Sequence, residues 1–245
     1  YPTTVMETGY DILRAWVARM IMIGYFETKQ VPFENIFLHG MVRDKHGQKM
    51  SKSKGNVIDP LLMVDQYGAD ALRAALVFGT KEGGDVVLSE DKIIGMRNFG
   101  NKIWNIGRFL QMNTFSSSRA QRSDLNEIAT SSDSHRIPRN DKDSTLKELD
   151  KEFTTLEKKY HTHFQKYEFA KAFDETYEFL WHRFADYYIE QLKEEMKNGT
   201  MEVSEKLKEV YFKMLRMLHP YMPFVTEAVW QSFFGEKTSI LDSRF

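Results

Sequence analysis

The sequence contains no cysteine, and this absence excludes disulfide bonds and thiolate metal ligands. A membrane-spanning run is also missing, because the longest apolar stretch, Met20–Phe26, has seven residues, where a bilayer needs about 20. Neither sign of charge is in excess, since 34 Lys and Arg residues face 35 Asp and Glu residues. A protein-wide basic surface for nucleic acid is therefore excluded, and any such binding must use a local patch.

Aromatic residues are abundant: the 245 residues include 18 Phe, 11 Tyr and 4 Trp. This content favours a packed globular chain over a disordered one. A chain of this length buries about 70–75% of its unfolded surface, which is enough for one large domain or two smaller ones. The sequence begins with Tyr and shows no signal peptide, so we expect it to be a piece of a longer protein.

Residues 1–90 alternate between helical and extended patterns, which is typical of α/β proteins. Apolar residues at three- and four-residue spacing predict a helix with one buried face over Leu13–Gly24. Asn35–His39 is predicted to be a short buried strand, and a charged, glycine-containing loop follows over Arg43–Asn56. Beyond the loop, Asp70 is placed to cap a short helix.

The rest of the chain has a mainly helical pattern. Residues 91–113 predict one long junction helix. Residues 114–145 are rich in Ser, Asp and Arg and poor in apolar residues, so we interpret them as a flexible linker. Residues 146–245 return to helical periodicity with a ladder of Tyr and Phe, and they predict an antiparallel bundle that is incomplete at its C-terminal end. The predicted fold class is therefore α/β followed by all-α.

The loop is the most informative stretch of the sequence. Three lysines alternate with two serines between two glycines, in the order Gly47, Lys49, Ser51, Lys52, Ser53, Lys54 and Gly55. Arg43 and four lysines against Asp44 alone give residues 41–54 a formal charge of +4. Such a loop suits a polyphosphate, because ammonium groups and the backbone N–H groups near glycine attract anions. The same composition is typical of a solvated charged loop or a basic localisation signal, and composition alone leaves both open.

The segment Lys49–Ser53 matches the KMSKS signature of class I aminoacyl-tRNA synthetases residue for residue. Further segments resemble the valyl members of this family in order and spacing, and the resemblance covers nearly the whole chain outside 114–145. These segments are Thr8–Ile12, Trp16–Met22, Val31–Phe33, His39–Gly40, Val42–Asp44, Gly47–Pro60, Gly68–Arg73, Arg97–Phe99, Asn101–Asn105 and His219–Phe224.

The resemblance implies a fold, a reaction and partners. Residues 1–90 would form the C-terminal part of a Rossmann-type catalytic domain, and residues 146–245 a helical anticodon-binding domain. The implied activity is ATP-dependent activation of valine to valyl-adenylate, followed by transfer to tRNA. Mg²⁺ is expected with ATP, but the sequence offers no recognisable ligand set, and no metal site is predicted. The protein is expected to be cytoplasmic, with no membrane partner.

The resemblance also assigns roles to residues of the loop. Lys49 and Lys52 would stabilise the phosphates of ATP as pyrophosphate leaves. Ser51 and Ser53 would position the loop around those phosphates. Met50, which lies between these residues in the signature, is grouped with the ATP-binding residues.

A second group of residues would hold the remainder of ATP. Gly9 and Asp11 match the Gly-x-Asp of the family, whose carboxylate accepts a hydrogen bond from the ribose. His39 and Gly40 precede the loop where family members hold adenine. From the residues alone, the favoured interpretation is a helix N-cap for Asp11 and a surface histidine for His39.

Trp16 and three basic residues complete the predicted sites. Trp16 matches an aromatic residue that lines the amino-acid pocket of the family, although its place on an apolar helix face also fits core packing. Arg97, Lys102 and Arg108 on the long helix are candidates for contacts with tRNA phosphates. The alternative for these three is a solvated helix face.

The sequence departs from the family pattern in its first half. The His-x-Gly-His signature of the nucleotide-binding domain and the editing domain of valyl enzymes are both absent. We therefore expect a C-terminal fragment that is inactive alone and whose partner is the missing N-terminal half of the same enzyme. The alternatives are an isoleucyl or leucyl enzyme and a non-catalytic tRNA-binding module derived from one; Lys54 favours valine, because isoleucyl enzymes usually carry Leu there.

Overall fold

The computed structural model describes residues 1–51, 53, 55–123 and 139–243, with side chains described except in 114–123 and 139–141. Lys52 and Lys54 of the loop therefore lie outside the described residues. Within the described part of the chain, no helix is both long enough and apolar enough to cross a membrane.

The N-terminal unit is a pair of parallel strands, β1 (Thr3–Gly9) and β2 (Phe33–His39). The crossover between them consists of a 3₁₀ turn (Tyr10–Ile12), a π-helical turn (Leu13–Val17) and helix α1 (Ala18–Thr28). Parallel strands need such a crossover because their ends lie far apart. The register pairs Gly9 with His39, so the carboxyl ends of the two strands lie side by side.

The burial predicted for this unit is wrong. Val17 is the one buried residue of the predicted helical face, α1 buries none of its residues, and most of β2 is exposed or half-buried. Large side chains of α1 remain in solvent, and Phe26 is 70% exposed. The apolar spacing is present as predicted, and Leu13, Met20, Ile21 and Gly24 are half-buried. Periodicity alone does not supply the partner that full burial of this face would need.

A second pair of short parallel strands lies at the start of the loop. It consists of β3 (Val42–Arg43), which leads into the loop, and β4 (Val86–Val87), which comes later in the chain. Helices α2 (Pro60–Tyr67) and α3 (Ala69–Val77) lie between them in the sequence. The side chain of Asp59 accepts the Leu61 N–H at 2.9 Å and so caps α2.

The junction helix α4 (Glu90–Ser123) is longer than the 91–113 predicted, and α5 (Arg139–Gln165) begins before residue 146. Scarcity of apolar residues argues against burial, but it does not end a helix. No Gly or Pro occurs from Arg108 to Ile137, so nothing in the sequence breaks α4 at residue 113. The remainder of the predicted linker, 124–138, lies outside the described residues.

The C-terminal part is helical, as predicted. It contains α6 (Phe169–Glu178), an eleven-residue π-helical stretch (Phe179–Ile189), α7 (Glu190–Lys197), α8 (Met201–Leu218), α9 (Pro223–Phe234) and a 3₁₀ turn (Ile240–Asp242). The order of α/β elements followed by helices thus confirms the predicted fold class.

The aromatic ladder forms the core of these helices. Phe173, Phe184, Tyr188 and Tyr211 are among the largest fully buried side chains. Burial raises the pKa of the Tyr211 phenol, whose hydroxyl donates to the Ile103 carbonyl of α4 at 2.6 Å. A buried hydroxyl with a backbone acceptor fixes one helix against the other, because breaking the bond would leave a polar group unsatisfied.

Helix α3 connects the loop region to the bundle. The prediction that Asp70 caps α3 is wrong, because Asp70 lies in the first turn of that helix. Its carboxylate instead accepts two N–H groups of α9, from Phe224 at 3.2 Å and from Val225 at 2.6 Å. Arg73 donates to the Pro220 carbonyl at 2.9 Å. The two side chains therefore fix the start of α9 on α3, a contact between residues about 150 positions apart.

Replacing Gly40 by Ala should destabilise the chain, because a Cβ there would lie 1.9 Å from the Gly84 carbonyl oxygen. We expect a loss of about 1–3 kcal/mol in the free energy of unfolding, as for other overpacked sites. Gly95→Ala is the matched control: its Cβ meets no atom within 4 Å inside α4, so it should gain about 0.5–1 kcal/mol from helix propensity. Urea denaturation compares the two, and equal midpoints would contradict the close packing.

Asp70→Ala should weaken the attachment of α9, because the first N–H groups of that helix lose their acceptor. We expect a loss of about 1–2 kcal/mol, the range measured for helix caps. Asp91→Ala, at an exposed position in the first turn of α4, is the control. Hydrogen exchange locates the effect: faster exchange confined to the amides of 224–228 supports the cap, and unchanged exchange there argues against it.

Candidate functional site

The carboxyl ends of β1 and β2 bring together three of the predicted ATP-binding residues. A Cβ built on Gly9 would lie 2.9 Å from Asp11 Oδ1 and 3.5 Å from His39 Cε1. A larger residue at position 9 would therefore displace the Asp11 carboxylate and would be in van der Waals contact with the His39 ring. In open α/β sheets, ligands bind just beyond the carboxyl ends of the strands, and this is where the cluster lies.

The imidazole of His39 is held from both sides. Its Nδ1 lies 2.8 Å from the Gly40 carbonyl oxygen, and its Nε2 lies 3.2 Å from Glu7 Oε1. Because a carbonyl can only accept, Nδ1 carries a proton in this arrangement. The ring is thus oriented at the strand end, although the side chain is nearly half exposed.

Asp85 organises the chain between β2 and the loop. Its carboxylate accepts the Met41 N–H at 2.7 Å and a bond from the Arg43 guanidinium. The Met41 N–H and the Arg43 group hold the pKa of Asp85 below its usual range, and Asp85 in turn raises the pKa of Arg43. One of the five cations that the sequence places in residues 41–54 is therefore already neutralised by a residue outside that segment.

The base of the loop is closed by Asp44 and Asn56. The Asn56 amide donates to Asp44 Oδ2 at 2.8 Å, and Asn56 Oδ1 accepts the Ser51 N–H at 3.0 Å. Asp44 Oδ1 also accepts the N–H groups of His46 and Gln48. The Asn56 amide, followed by these backbone donors, lowers the pKa of Asp44. The loop therefore has an ordered base, from which the exposed Lys49 extends.

The signature residues occupy different environments. Lys49 is exposed and its backbone forms an antiparallel bridge with Arg43. Met50 is partly buried against the hydrophobic core, so it anchors the loop to the core. The hydroxyl oxygens of Ser51 and Ser53 lie 3.2 Å apart. The predicted role of Lys52 falls outside the described residues and stays a prediction.

The remaining predicted residues are separate from this cluster. Trp16 lies on the π-helical turn and is 54% exposed, so it is not a core residue of the described chain. Lys102 is bound within the chain, 2.7 Å from Asp186 and over the ring of Trp181. Arg97 and Arg108 are exposed on α4.

Sequence reasoning missed Asp85 and the pairing of Asp44 with Asn56. An Asp and an Asn at the two ends of a glycine-containing loop are a recognisable signal, because both residues bind backbone groups in turns. Asp85 gives no local signal, since it meets Arg43 through the parallel pairing of β3 and β4. Among the described residues, no group of three or more His, Asp or Glu side chains is placed to hold a metal ion.

Asn56→Asp should open the base of the loop at neutral pH. The substitution places a second carboxylate where an amide now donates to Asp44 at 2.8 Å, and two like charges at this distance repel. We expect the Ser51 amide, now bonded to Asn56, to lose its protection from hydrogen exchange. Asn35→Asp adds the same charge at an exposed position of β2 and is the control.

The pH dependence distinguishes the two proteins. In the wild type the pKa of Asp44 is lowered in the folded state, so its contribution is present above the ordinary carboxyl pKa and is lost as the pH falls. In the Asn56→Asp variant, acid should instead restore protection, because one carboxyl group becomes protonated. Equal protection of the Ser51 amide in both proteins at all pH values would contradict this role of Asn56.

Comparison with known proteins assigns each part of the chain to a family. Residues 1–89 match the model of tRNA synthetases class I (I, L, M and V). Residues 147–245 match the model of the anticodon-binding domain of tRNA ligase. The two matches coincide with the α/β unit and the helical bundle.

Curated relatives are similar over nearly the whole chain. A valine–tRNA ligase of Dehalococcoides mccartyi is 41% identical over 94% of this chain, and one of Mycobacterium tuberculosis is 40% identical over 98%. The chain spans about a quarter of the length of these relatives, 24% and 27% respectively.

Solved structures share the fold. A leucyl-tRNA synthetase of Agrobacterium radiobacter, in a ternary complex with tRNA, aligns with a TM-score of 0.70 at 21% identity, over 98% of this chain and 28% of that one. A methionyl-tRNA synthetase of Mycobacterium tuberculosis aligns with a TM-score of 0.67 at 20% identity, over 94% of this chain and 44% of that one. The α/β unit, the helical bundle and these matches lead to one assignment. The chain belongs to the class I tRNA synthetases of the I, L, M and V group and carries an anticodon-binding domain of the tRNA ligase family.

Proposed function

We propose that the complete protein containing this chain is a valine–tRNA ligase. The observation that carries the proposal is the set of valine–tRNA ligases about 40% identical over nearly the whole chain. Because the chain spans about a quarter of these relatives, the activity belongs to the complete protein. In this reaction the carboxylate of valine attacks the α-phosphorus of ATP, and the bond to pyrophosphate breaks. A hydroxyl at the 3′ end of tRNA then attacks the valyl carbonyl, and the bond to AMP breaks.

The loop would act on the leaving pyrophosphate. Lys49 and Lys52 would supply positive charge where negative charge develops, and Ser51 and Ser53 would add neutral donors. The ordered base formed by Asp44 and Asn56 supports this proposal, because it holds the start and end of the loop while the Lys49 side chain is exposed. A fixed base would let the tip of the loop move toward phosphates while the start and end of the loop stay in place.

The strand ends would hold the nucleoside part of ATP. Gly9, Asp11 and His39 lie within a few ångströms of each other, which supports a shared site in which Asp11 accepts a ribose hydroxyl. Gly40 is buried against the backbone of Gly84, so its role is to let the chain pass from β2 to the loop.

Trp16 would line the valine pocket. The described residues offer no ligand group that fits Mg²⁺, and no step is assigned to it.

Amino-acid-dependent exchange of pyrophosphate into ATP tests the proposal. The product of the complete reading frame is assayed with valine, isoleucine and leucine in parallel. Exchange that is strongest with valine supports the proposal, while exchange strongest with isoleucine or leucine replaces the proposed substrate. A folded product that shows no exchange with any of the three amino acids would favour the alternative, a non-catalytic tRNA-binding module. The 245-residue chain alone should be inactive, since it lacks the His-x-Gly-His signature.

Lys52→Ala in the complete protein should lower kcat of adenylation by roughly 10²–10³, the scale of losing one contact to a charge that develops in the transition state. Lys49→Ala should have an effect of the same kind. Lys45→Ala removes an equal charge from the neighbouring turn, outside the five-residue signature, and should leave kcat nearly unchanged. Equal rates for Lys52→Ala and wild type would remove Lys52 from the proposed machinery.

A further inference from the structure

Residues 43–49 form a tight hairpin that leads into the signature segment. Arg43 and Lys49 form an antiparallel bridge. Between them the Asp44 N–H donates to the Gln48 carbonyl at 3.0 Å, and the Gly47 N–H donates to the Asp44 carbonyl at 2.9 Å. Gly47 has a φ of +73°, a conformation that glycine adopts without strain. We call residues 43–49 the loop hairpin. Because it is bonded internally, the place of Lys49 depends on how the whole hairpin is held.

Short backbone pairing attaches the loop hairpin to β4. The Val86 N–H donates to the Met41 carbonyl and the Leu88 N–H donates to the Arg43 carbonyl, both at 2.9 Å. Both bonds lie before the turn of the hairpin, and each strand has two residues. A two-stranded pairing of this length is only marginally stable on its own, so side chains decide how firmly the hairpin is held.

The carboxylate of Asp85 supplies a side-chain constraint. One of its oxygens, Oδ1, accepts the Met41 N–H at 2.7 Å, and the other, Oδ2, accepts a bond from Nε of Arg43. The Nη1 group of Arg43 donates in turn to the Gly47 carbonyl at 3.1 Å, at the turn of the loop hairpin. A chain of hydrogen bonds therefore runs from the backbone after β2, through Asp85 and Arg43, to the turn.

The ion pair of Asp85 and Arg43 is partly shielded from water. The Asp85 side chain is 21% exposed and the Arg43 side chain is 33% exposed. Charge-assisted hydrogen bonds in such a place are stronger than those of a fully exposed pair. The Met41 N–H, followed by Arg43, holds the pKa of Asp85 below its usual range, so the carboxylate is ionised at neutral pH. With its Nε and Nη1 groups bonded inside the chain, Arg43 connects two parts of the structure, whereas Lys49 is exposed.

The other end of this chain of hydrogen bonds lies at the strand ends. Met41 follows Gly40, whose carbonyl oxygen is 2.8 Å from Nδ1 of His39. A Cβ built on Gly9 would lie 3.7 Å from the sulfur of Met41, so the Met41 side chain lies beside the end of β1. Asp85 therefore binds, at Met41, the same segment that contacts the proposed nucleoside site.

We propose that Asp85 is a positioning residue of the adenylation step. It acts through Met41 and Arg43, which hold the loop hairpin at a fixed distance from the strand ends, so that the ammonium group of Lys49 meets the pyrophosphate as it leaves. A misplacement of about 1 Å in an active site can lower a rate roughly 10²-fold, so a group that sets this distance affects kcat without contacting the substrate. This inference rests on the proposed function, since it takes ATP as the substrate of the loop.

The test measures valine-dependent exchange of pyrophosphate into ATP by the complete protein. Asp85→Ala removes both hydrogen bonds and should lower kcat roughly 10- to 100-fold, while the KM values for ATP and valine stay within about 3-fold, because the contact that is lost forms only in the transition state. Asp85→Asn keeps an oxygen for the Met41 N–H but loses the charge that binds Arg43, so its kcat should fall less, roughly 3- to 10-fold. Asp65→Asn removes the same charge from an exposed position of α2 and should keep the wild-type kcat.

A double-mutant cycle with Lys49 distinguishes positioning from a loss of stability. In a Lys49→Ala background the side chain that Asp85 positions is missing, so Asp85→Ala should lower kcat by less than about 3-fold. A variant that only destabilises the fold would lower the rate equally in both backgrounds and would lower the melting temperature. An equal loss of kcat in both backgrounds therefore overturns the inference. If Asp85→Ala does not fold, Asp85→Asn takes its place in the cycle.

The outcomes separate this inference from the proposed function. A wild-type protein that catalyses exchange with valine, but whose folded Asp85 variants keep the wild-type kcat, overturns the inference alone. A folded wild-type protein that shows no exchange with any of the three amino acids overturns the proposed function, and the inference with it.

Discussion

The attachment of α9 to α3 is the interaction on which the arrangement of the two parts depends. One carboxylate, Asp70, accepts the N–H groups of Phe224 and Val225, and Arg73 binds the carbonyl of Pro220 at 2.9 Å. The carboxylate of Asp70 is partly buried, and this burial raises its pKa. The N-terminus of a helix is a favourable place for such a group, because its free N–H groups and dipole stabilise a negative charge.

A single carboxylate also joins the loop to the strand ends. Asp85 binds both the backbone before the loop and Arg43 at its start, and Gly40 lets two backbones pass in contact at Gly84. The proposed function asks for a rigid site at the strand ends and for a loop tip that can move. The hydrogen bonds of Asp44 and Asn56 fix the base of the loop, and Lys49 is exposed.

Local patterns predicted the local parts of this structure. The helical character of residues 146–245 was predicted because the apolar spacing there is regular, and this part contains helices such as α8 and α9. The cluster at the strand ends was predicted through resemblance, and the parallel register explains why its residues meet. What the sequence did not predict needed a distant partner: the burial of α1, the role of Asp70, and the pairing of Lys102 with Asp186. The predicted contact of Lys102 with tRNA stays a prediction. The π-helical geometry of Phe179–Ile189 also has no signal in spacing alone.

Helix α4 matters for any attempt to separate the molecule into its parts. It lies between the two family matches, which end at residue 89 and resume at residue 147. Its buried side chains nevertheless complete the core on both sides: Gly107 sits so close to Val229 that a Cβ would come within 2.9 Å of it, and Met96 belongs to the same cluster as Ala75 of α3. Family boundaries and folding boundaries therefore differ here. A cut at either family boundary would leave α4 in one fragment without part of its packing partners. The other fragment would keep an uncovered apolar groove. The two fragments would therefore tend to aggregate rather than fold independently.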